Sequence, residues 1–553
     1  MDNHLQIIYD YHEKTKHRPH RYARSLGYLD WDNEPTPFRT FEGSEHVRLS
    51  LPTKDSSPSF YKAFYQSETI PSIPMTIDSI SHLLLYSLGI SAWKEYRGSR
   101  WAVRCNPSSG NLHPTETYLI IPQGNLDHKN TTLYHYEPFE HILEKRAYTS
   151  QTTTDDVAPN CSYFYIALTS LVWREVWKYG ERALRYCLLD IGHAIGAIIF
   201  SAMALGWRVA GIQGMDLYQL SNVLGLNRTE YKYVEKEFPQ IILVIYPKEK
   251  ALLAPQLQYQ LQNLVFDKWH GIPSKVSPQT IQWEIIDKTM STLFDCSTNY
   301  PWSENNTNNS NNTYQPNNST SCPDVPDSPT CWALFRKRRS AHSFNSNATF
   351  PNQGFLQLLK DLHFANQHFL KPIINNVPRI SLLFFIHNVE NLESGIYTYV
   401  SQPSHINIVE HCLISEGDNI TPILDNFPLY LCITGNCRHI SEHLCCGQEI
   451  ARDGVLCISM FTDVIKELEQ TNGFSYTTLH WEAGFIGQLL YLEAELNQMS
   501  GTGIGCFFDD EIYKIKRPDA MQKNLNPLYY FTIGKAIPDP RIKTSPPYQN
   551  TNI

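Results

Sequence analysis

DIGHAIGAIIFSAMALGWRVAGI, residues 190–212, and EAGFIGQLLYLEAELNQMSGTGI, residues 482–504, follow one plan. Each opens on an acid with a glycine two positions later, continues through a helix-length run rich in Ala, Leu and Ile, and closes on Gly-Ile. Twenty-one positions separate Asp190 from Gly211, and the same number separates Glu482 from Gly503. Small residues at the start let such a helix approach another backbone closely, and the apolar majority calls for burial on most sides. The closing glycines suit a helix stop that leads into a strand. Each stretch is followed by a β-like apolar run, IILVIYP at 241–247 and LYYFTIGK at 528–535. A duplicated domain explains this economically; chance similarity between two buried helices is the alternative.

Outward from these helices, ENNTNNSNNTYQPNNSTS at 304–321 contains no aliphatic residue. Such a segment cannot bury enough apolar surface to offset the entropy of ordering, so it reads as a flexible, disordered linker. The expected division is an N-terminal extension over 1–50, one domain over 51–255, a connecting segment over 256–330 that includes the linker, a second domain over 331–541, and a disordered tail over 542–553. A chain of 553 residues is too long for one core. Its 42% apolar content suits cores of ordinary size, and a net charge of −9 argues against nucleic-acid or anionic-membrane partners. The apolar patches around Ile198 and Ile241 read as too short to span a bilayer, and the N-terminus lacks the order of a signal peptide, so a cytoplasmic address is expected. The 13 cysteines show no paired spacing and are expected to be free and mostly buried. Cys437, His439, His443, Cys445 and Cys446 tempt a metal reading, but without a spaced CxxC pair none is assigned.

Two stretches carry candidate chemistry. From Arg104, the sequence RCNPSSGNLHPTE places Pro107, Ser108, Ser109, Gly110 and Asn111 in a small polar loop. Such a loop can approach a flat heteroaromatic ring and hydrogen-bond its edge; a surface turn before a strand would use the same residues. RKRRSAHSF at 336–344 offers clustered cations and hydroxyls for a phosphate, or equally a solvated basic face.

In order and spacing the two resemble the nitroreductase family, in particular its FMN-dependent azoline dehydrogenases of the SagB/ThcOx type. The family's RRSxR-F element, which holds the FMN phosphate, is matched by Arg338, Arg339, Ser340 and Phe344, with His342 where the family has arginine. Its PSxGxLxP loop, which lines the flavin ring, is matched by Pro107, Ser108, Ser109, Gly110, Asn111, Leu112 and Pro114. Residues 11–39 and the CGQEIA stretch at 446–451 extend the likeness, and Arg541 is similar to a late basic residue near the phosphate. The resemblance implies an α+β fold, two nitroreductase-like domains in tandem forming a pseudo-dimer joined by the Asn-rich linker. The first domain lacks the phosphate element and the second lacks the ring loop. A family dimer draws one motif from each subunit, so the resemblance implies one complete FMN site between the halves and one degenerate site.

Trp177–Tyr186 contains Lys178 and Tyr179, similar to the family's Lys-Tyr pair. Oxidising an azoline requires a ring proton to leave as hydride moves to flavin. A phenol is a poor base at neutral pH, and the expectation is that the Lys178 ammonium lowers its pKa. At the 292-residue offset stand Gln470 and Thr471, so the second half lacks the pair. An amphipathic helix start, with Lys178 solvated and Tyr179 packed, is the plain alternative. Glu181, Arg182 and Arg185 read as helix-surface pairs, and His193 as a satisfied core histidine. The implied activity is FMN-dependent dehydrogenation of a heterocycle in a peptide or small molecule, with other peptide-modification enzymes as partners. The alternatives are an NAD(P)H-dependent nitro or quinone reductase and a flavin-free scaffold in a peptide-modification complex.

Overall fold

The computed structural model describes residues 2–54, 56–126, 128–150, 163–250, 254–301, 326–374, 377–414, 419–425, 427–515 and 524–548. The Asn-rich run at 304–321 lies outside them. Helix α1 spans Asn3–Lys14 and a hairpin joins β1 (Ile90–Tyr96) to β2 (Ser99–Arg104). The first half then contains β3 (Thr115–Ile121), β4 (Thr132–Glu137), β5 (Ile142–Tyr148), β6 (Phe164–Ser170), α2 (Trp173–Tyr179), α3 (Ala183–Ala204), β7 (Trp207–Gly211) and β8 (Phe238–Pro247). After α4 (Glu284–Ser297) and α5 (Cys331–Lys337), the second half contains β9 (Ser381–Ile386), β10 (Gly395–Tyr399), β11 (Leu429–Thr434), β12 (Leu456–Thr462), α6 (Ser475–Leu496), β13 (Ser500–Ile504) and β14 (Asn526–Gly534), followed by β15 (Lys543–Ser545).

The two sheets share one path. Strand order β5-β4-β3-β6-β8-β7 in the first half matches β11-β10-β9-β12-β14-β13 in the second, and the neighbouring strands in both are antiparallel. In each half the 22-residue helix follows the strand next to the centre and leads into the edge strand; a strand directly after each helix is what the repeated pattern predicts. Period-two alternation then divides each strand between two cores. Leu119 and Ile121 point to a core shared by both halves, whereas Tyr118 and Ile120 point to one on the outer face of the first sheet. Leu382 and Phe384 join the shared core, while Leu383 and Phe385 face an outer core of the second half.

Helices α3 and α6 form the seam. A methyl group on Gly192 would overlap the Trp481 carbonyl oxygen and lie 2.8 Å from Gly484 Cα. One on Gly484 would overlap the Leu189 carbonyl oxygen and lie 2.9 Å from Gly192 Cα. The glycines two places after Asp190 and Glu482 therefore meet each other, and backbone packs on backbone. The helical stretch Trp173–Ala204, taken across the turn between α2 and α3, is long and apolar enough to cross a membrane, which the patch around Ile198 alone did not suggest, yet its apolar window is buried inside the protein.

Several expectations are corrected. Part of the connecting segment is built into the first half: Lys268–Trp269 pairs with β5, Ile272–Pro273 pairs with Phe41–Glu42, and α4 packs against α1. The tail beyond Arg541 is not disordered as far as Tyr548. It supplies β15, which pairs with β1, and the Tyr548 hydroxyl accepts from Ile90 N at 3.0 Å. Arg182 and Arg185 are not surface residues. Both are buried at 1% exposure and converge on Asp509 of the second half, at 2.9 and 2.7 Å, while also donating to Thr15 and His12 at the end of α1. Among the described residues no group of three or more His, Cys, Asp or Glu is arranged to hold a metal. Cys437 and Cys445 pack in the second half's outer core.

Candidate functional site

Helix α2 carries Lys178 and Tyr179 at its C-terminal end. Arg174, buried in its first turn, anchors it: Nη1 donates to the His113 carbonyl at 2.7 Å and pairs with Glu116 at 2.6 Å, while Nε donates to Thr36 O at 2.8 Å. Glu116, the second residue of β3, also bonds His135, so one ion cluster ties the helix to the segment that follows the polar loop. That loop touches the pair directly. Gly110 has φ +60°, which suits glycine, and a methyl there would lie 2.6 Å from the Tyr179 phenol oxygen. Tyr179 meets Tyr186 edge-on at 4.6 Å, and Lys178 Nζ stands 5.4 Å from the centre of the Tyr179 ring.

The expected lowering of the Tyr179 pKa is overturned. Burial pushes the phenol well above its usual value, and the carboxyl of Glu175 adds to the rise. Glu175 is itself buried with no partner for either carboxyl oxygen, and burial pushes its pKa well up too. The phenol is thus a proton holder and hydrogen-bond donor in this setting.

The loop is fixed from beneath by Asp190 on α3, which accepts from Ser109 N and Ser109 Oγ, each at 3.2 Å. Burial raises the Asp190 carboxyl to about 7, with the serine hydrogen bonds pulling the other way. The second half repeats the device: Glu482 accepts from Arg379 N and Ile380 N at 2.7 and 2.8 Å, just ahead of β9. Ser108 Oγ accepts from His113 N at 2.8 Å. The Asn111 side chain binds Ala102 O at 2.9 Å and His113 at 3.0 Å, which makes it a loop brace. Pro107 is buried, while Ser108 and Ser109 are half-buried and Gly110 exposed. Arg104, expected in the site, instead turns its guanidinium to the N-terminal segment, donating to Pro37 O at 2.5 Å and stacking on Phe38.

The basic element of the second half abuts this loop of the first. Arg338 is buried at 3% exposure; Nε donates to Cys105 O at 3.0 Å and Nη2 to Arg104 O at 2.8 Å. Its Nη1 is buried without an acceptor, and its guanidinium lies 4.9 Å from the Tyr491 ring centre. Half-buried Arg339 donates to Ser91 O at 3.0 Å. The exposed Ser340 hydroxyl bonds that of Tyr491 at 2.8 Å, and Tyr491 in turn accepts from Gly503 N at 3.0 Å. Gly503 and Gly505 complete the border: Tyr529 crowds the first, and Tyr186 the second. His193 is a satisfied core histidine, bonded to Tyr529 at 3.0 Å and Gln488 at 3.4 Å, with burial holding it down at about 3. Arg541 stays at the surface in an ion pair with Asp539 at 2.7 Å.

The corresponding position in the other half is closed. Gly211, which sits where Gly503 sits, is covered by the backbone of Lys371–Ile374, and a methyl on it would overlap the Ile373 carbonyl oxygen. A separate cavity of about 510 Å³ opens behind α2, lined by Trp173, Val176, Tyr233, Lys236 and Trp283, and does not reach the polar loop. Sequence reasoning missed Asp190 as the loop's anchor, as well as Arg182, Asp509 and Cys506. Arg182 Nε and Nη2 hold the Gly505 carbonyl at 3.3 and 3.2 Å, and no spacing in the sequence signals that contact.

No curated protein matches the sequence. A nitroreductase-assigned protein from Anabaena variabilis superposes with a TM-score of 0.63 at 22% identity, covering 96% of this chain and 99% of its own, which shows a shared fold along nearly the whole length. A nitroreductase-assigned protein from Ralstonia eutropha aligns with 41% of this chain and 98% of its own, at 15% identity and a TM-score of 0.28. A chain of the Escherichia coli microcin synthetase McbBCD complex aligns with 44% of this chain and 93% of its own, at 19% identity and a TM-score of 0.25. Residues 99–235, which hold the polar loop, Lys178, Tyr179 and Asp190, match the model of the Nitroreductase family, so the chain carries a nitroreductase-family domain in its first half.

Proposed function

We propose that this protein is an FMN-dependent oxidoreductase whose two halves act as a pseudo-dimer with one flavin site between them. The observation that carries the reading is the contact of Arg338, from the second half, with the carbonyls of Arg104 and Cys105, immediately ahead of the polar loop of the first. The residues fit the group. Arg338 Nη1 is a buried donor lacking an acceptor, and half-buried Arg339 and exposed Ser340 stand beside it, which suits a phosphate. Ser108 to Asn111 offer a loop without bulky side chains for the ring. Closure of the Gly211 position by Lys371–Ile374 favours one flavin rather than two.

Bound FMN would supply the hydride acceptor or donor. Asp190 keeps the ring loop in place through Ser109, and Arg174 positions the end of α2. Lys178 and Tyr179 would handle the substrate proton. In the finer reading, the reaction is SagB-type oxidation of an azoline-like ring in a peptide or small molecule, and Tyr179 takes a proton. The raised phenol favours the second reading, reduction by a nicotinamide donor, in which Tyr179 gives one. The two differ in pH dependence: oxidation through the phenolate speeds up as pH rises, and reduction through the phenol slows as the phenol ionises. An absorption spectrum with flavin stoichiometry tests the common core. One FMN per chain is expected; colourless protein that FMN cannot reconstitute overturns the reading, and two per chain overturns the single site. Rapid bleaching of the flavin by NADPH decides for reduction.

A further inference from the structure

Cys506 follows Gly505 at the rim of the candidate site, and its surroundings differ from those of the other described cysteines. Its side chain is within hydrogen-bonding reach of both Cys446 and His17. The Gln448 amide clasps the two cysteine loops, donating to Cys445 O at 2.9 Å and to Cys506 O at 3.0 Å. His17 Nδ1 accepts from Ala23 N at 2.9 Å, which leaves Nε2 for the Cys506 sulfur. Tyr22 reaches Cys446, and its ring lies 4.9 Å from that of His17. Both cysteines are half-buried, so small molecules can reach them; most other described cysteines are buried. Arg182, Tyr179, Tyr186, Asp509 and the buried Cys445 are the other charged or titratable groups around the pair among the described residues.

We propose that Cys506 and Cys446 are a peroxide-reactive thiol pair that closes to a disulfide, with His17 stabilising the attacking thiolate. The Cys506 thiolate attacks one oxygen of hydrogen peroxide; an S–O bond forms, the O–O bond breaks, and the departing hydroxide takes a proton to leave as water. The Cys446 sulfur then attacks the Cys506 sulfenic acid, the S–S bond forms, and the hydroxyl leaves with the Cys446 proton as a second water. Two thiols are oxidised by two electrons and one peroxide is reduced to two waters. The hydrogen bond from Cys446 draws the Cys506 thiol down, against the upward push of burial, and His17 and Arg182 add to that lowering. A thiolate in such surroundings is the nucleophilic form. The chemistry needs no flavin, so it stands or falls apart from the function proposed above.

The test uses the full-length protein, reduced, freed of reductant and exposed to about one equivalent of hydrogen peroxide, then alkylated and mapped by mass spectrometry. A peptide linking Cys446 to Cys506 is the expected product. Half-buried Cys432, which burial raises to about 12, is expected to remain a free thiol and serves as the internal control. In Cys446→Ser, dimedone should label Cys506. The unmodified protein gives a readout that does not depend on any variant folding: iodoacetamide should alkylate Cys506 about tenfold faster than Cys432. Equal alkylation of the two, or peroxide treatment that leaves both Cys446 and Cys506 reduced, overturns the proposal.

Discussion

At Tyr179 burial and the neighbouring Glu175 carboxyl act together, and the phenol is raised. Tyr179→Phe removes the only ionisable atom of that ring. It is expected to lower turnover by roughly 10²-fold, the usual scale for a positioned acid or base, while flavin content stays unchanged. Unchanged turnover in Tyr179→Phe combined with Lys178→Ala would sink the role of the pair. His135 allows a pH prediction. Burial lowers its pKa, but hydrogen bonds to Glu116 and Glu144 more than compensate and raise it to about 9. A raised folded pKa means that its stabilisation is fully present below the unfolded value of about 6.5 and is lost as pH rises through about 9. Thermal midpoints of His135→Gln should therefore lack the fall that the natural protein shows between those limits. Little of this was legible in the sequence. Lys178 and Tyr179 could be picked out, but Glu175, Glu116 and Asp190, which set the electrostatics around them, come from α2, β3 and α3 and meet only in the fold.

At the scale of elements, the repeated helix was the most legible feature. Acid, glycine and apolar run predicted the burial of α3 and α6, and the glycine predicted a close approach to another backbone. The partner of each helix was not written in either stretch alone, because the contact of Gly192 with Gly484 is a tertiary fact. Gly484→Ala puts a methyl group onto the Leu189 carbonyl, with backbone on both sides and no flexible side chain to move. The expected cost is about 1–3 kcal/mol, measured by denaturant unfolding. An unchanged midpoint would mean that the helices separate freely. The charges at Arg182 and Arg185 misled for a physical reason. Glu181 stands four positions ahead of Arg185, the spacing of a solvated helix pair, whereas in the fold Asp509 and the acceptors of His12, Thr15 and Gly505 make the burial of both arginines tolerable. The pairing of β15 with β1 was likewise hidden, since it joins residues about 450 positions apart.

For the whole molecule, Asp509 links three parts of the chain: the end of α1, the start of α3 and the loop after β13. Asp509→Ala leaves two buried guanidinium groups facing each other and is expected to cost about 3–5 kcal/mol. The same substitution releases the Gly505 loop beside the candidate site, so any bound flavin should be lost along with stability. Retained stability in Asp509→Ala would refute this account of the junction. The seam of α3 and α6 has a further consequence. Both helices belong to one polypeptide, so dilution cannot part them, and the site that spans them should assemble at any protein concentration. A seam made by two identical chains would double every substitution. Here a change in one helix leaves the other untouched, which under the proposed function would let one half specialise in gripping an anion and the other in facing the substrate.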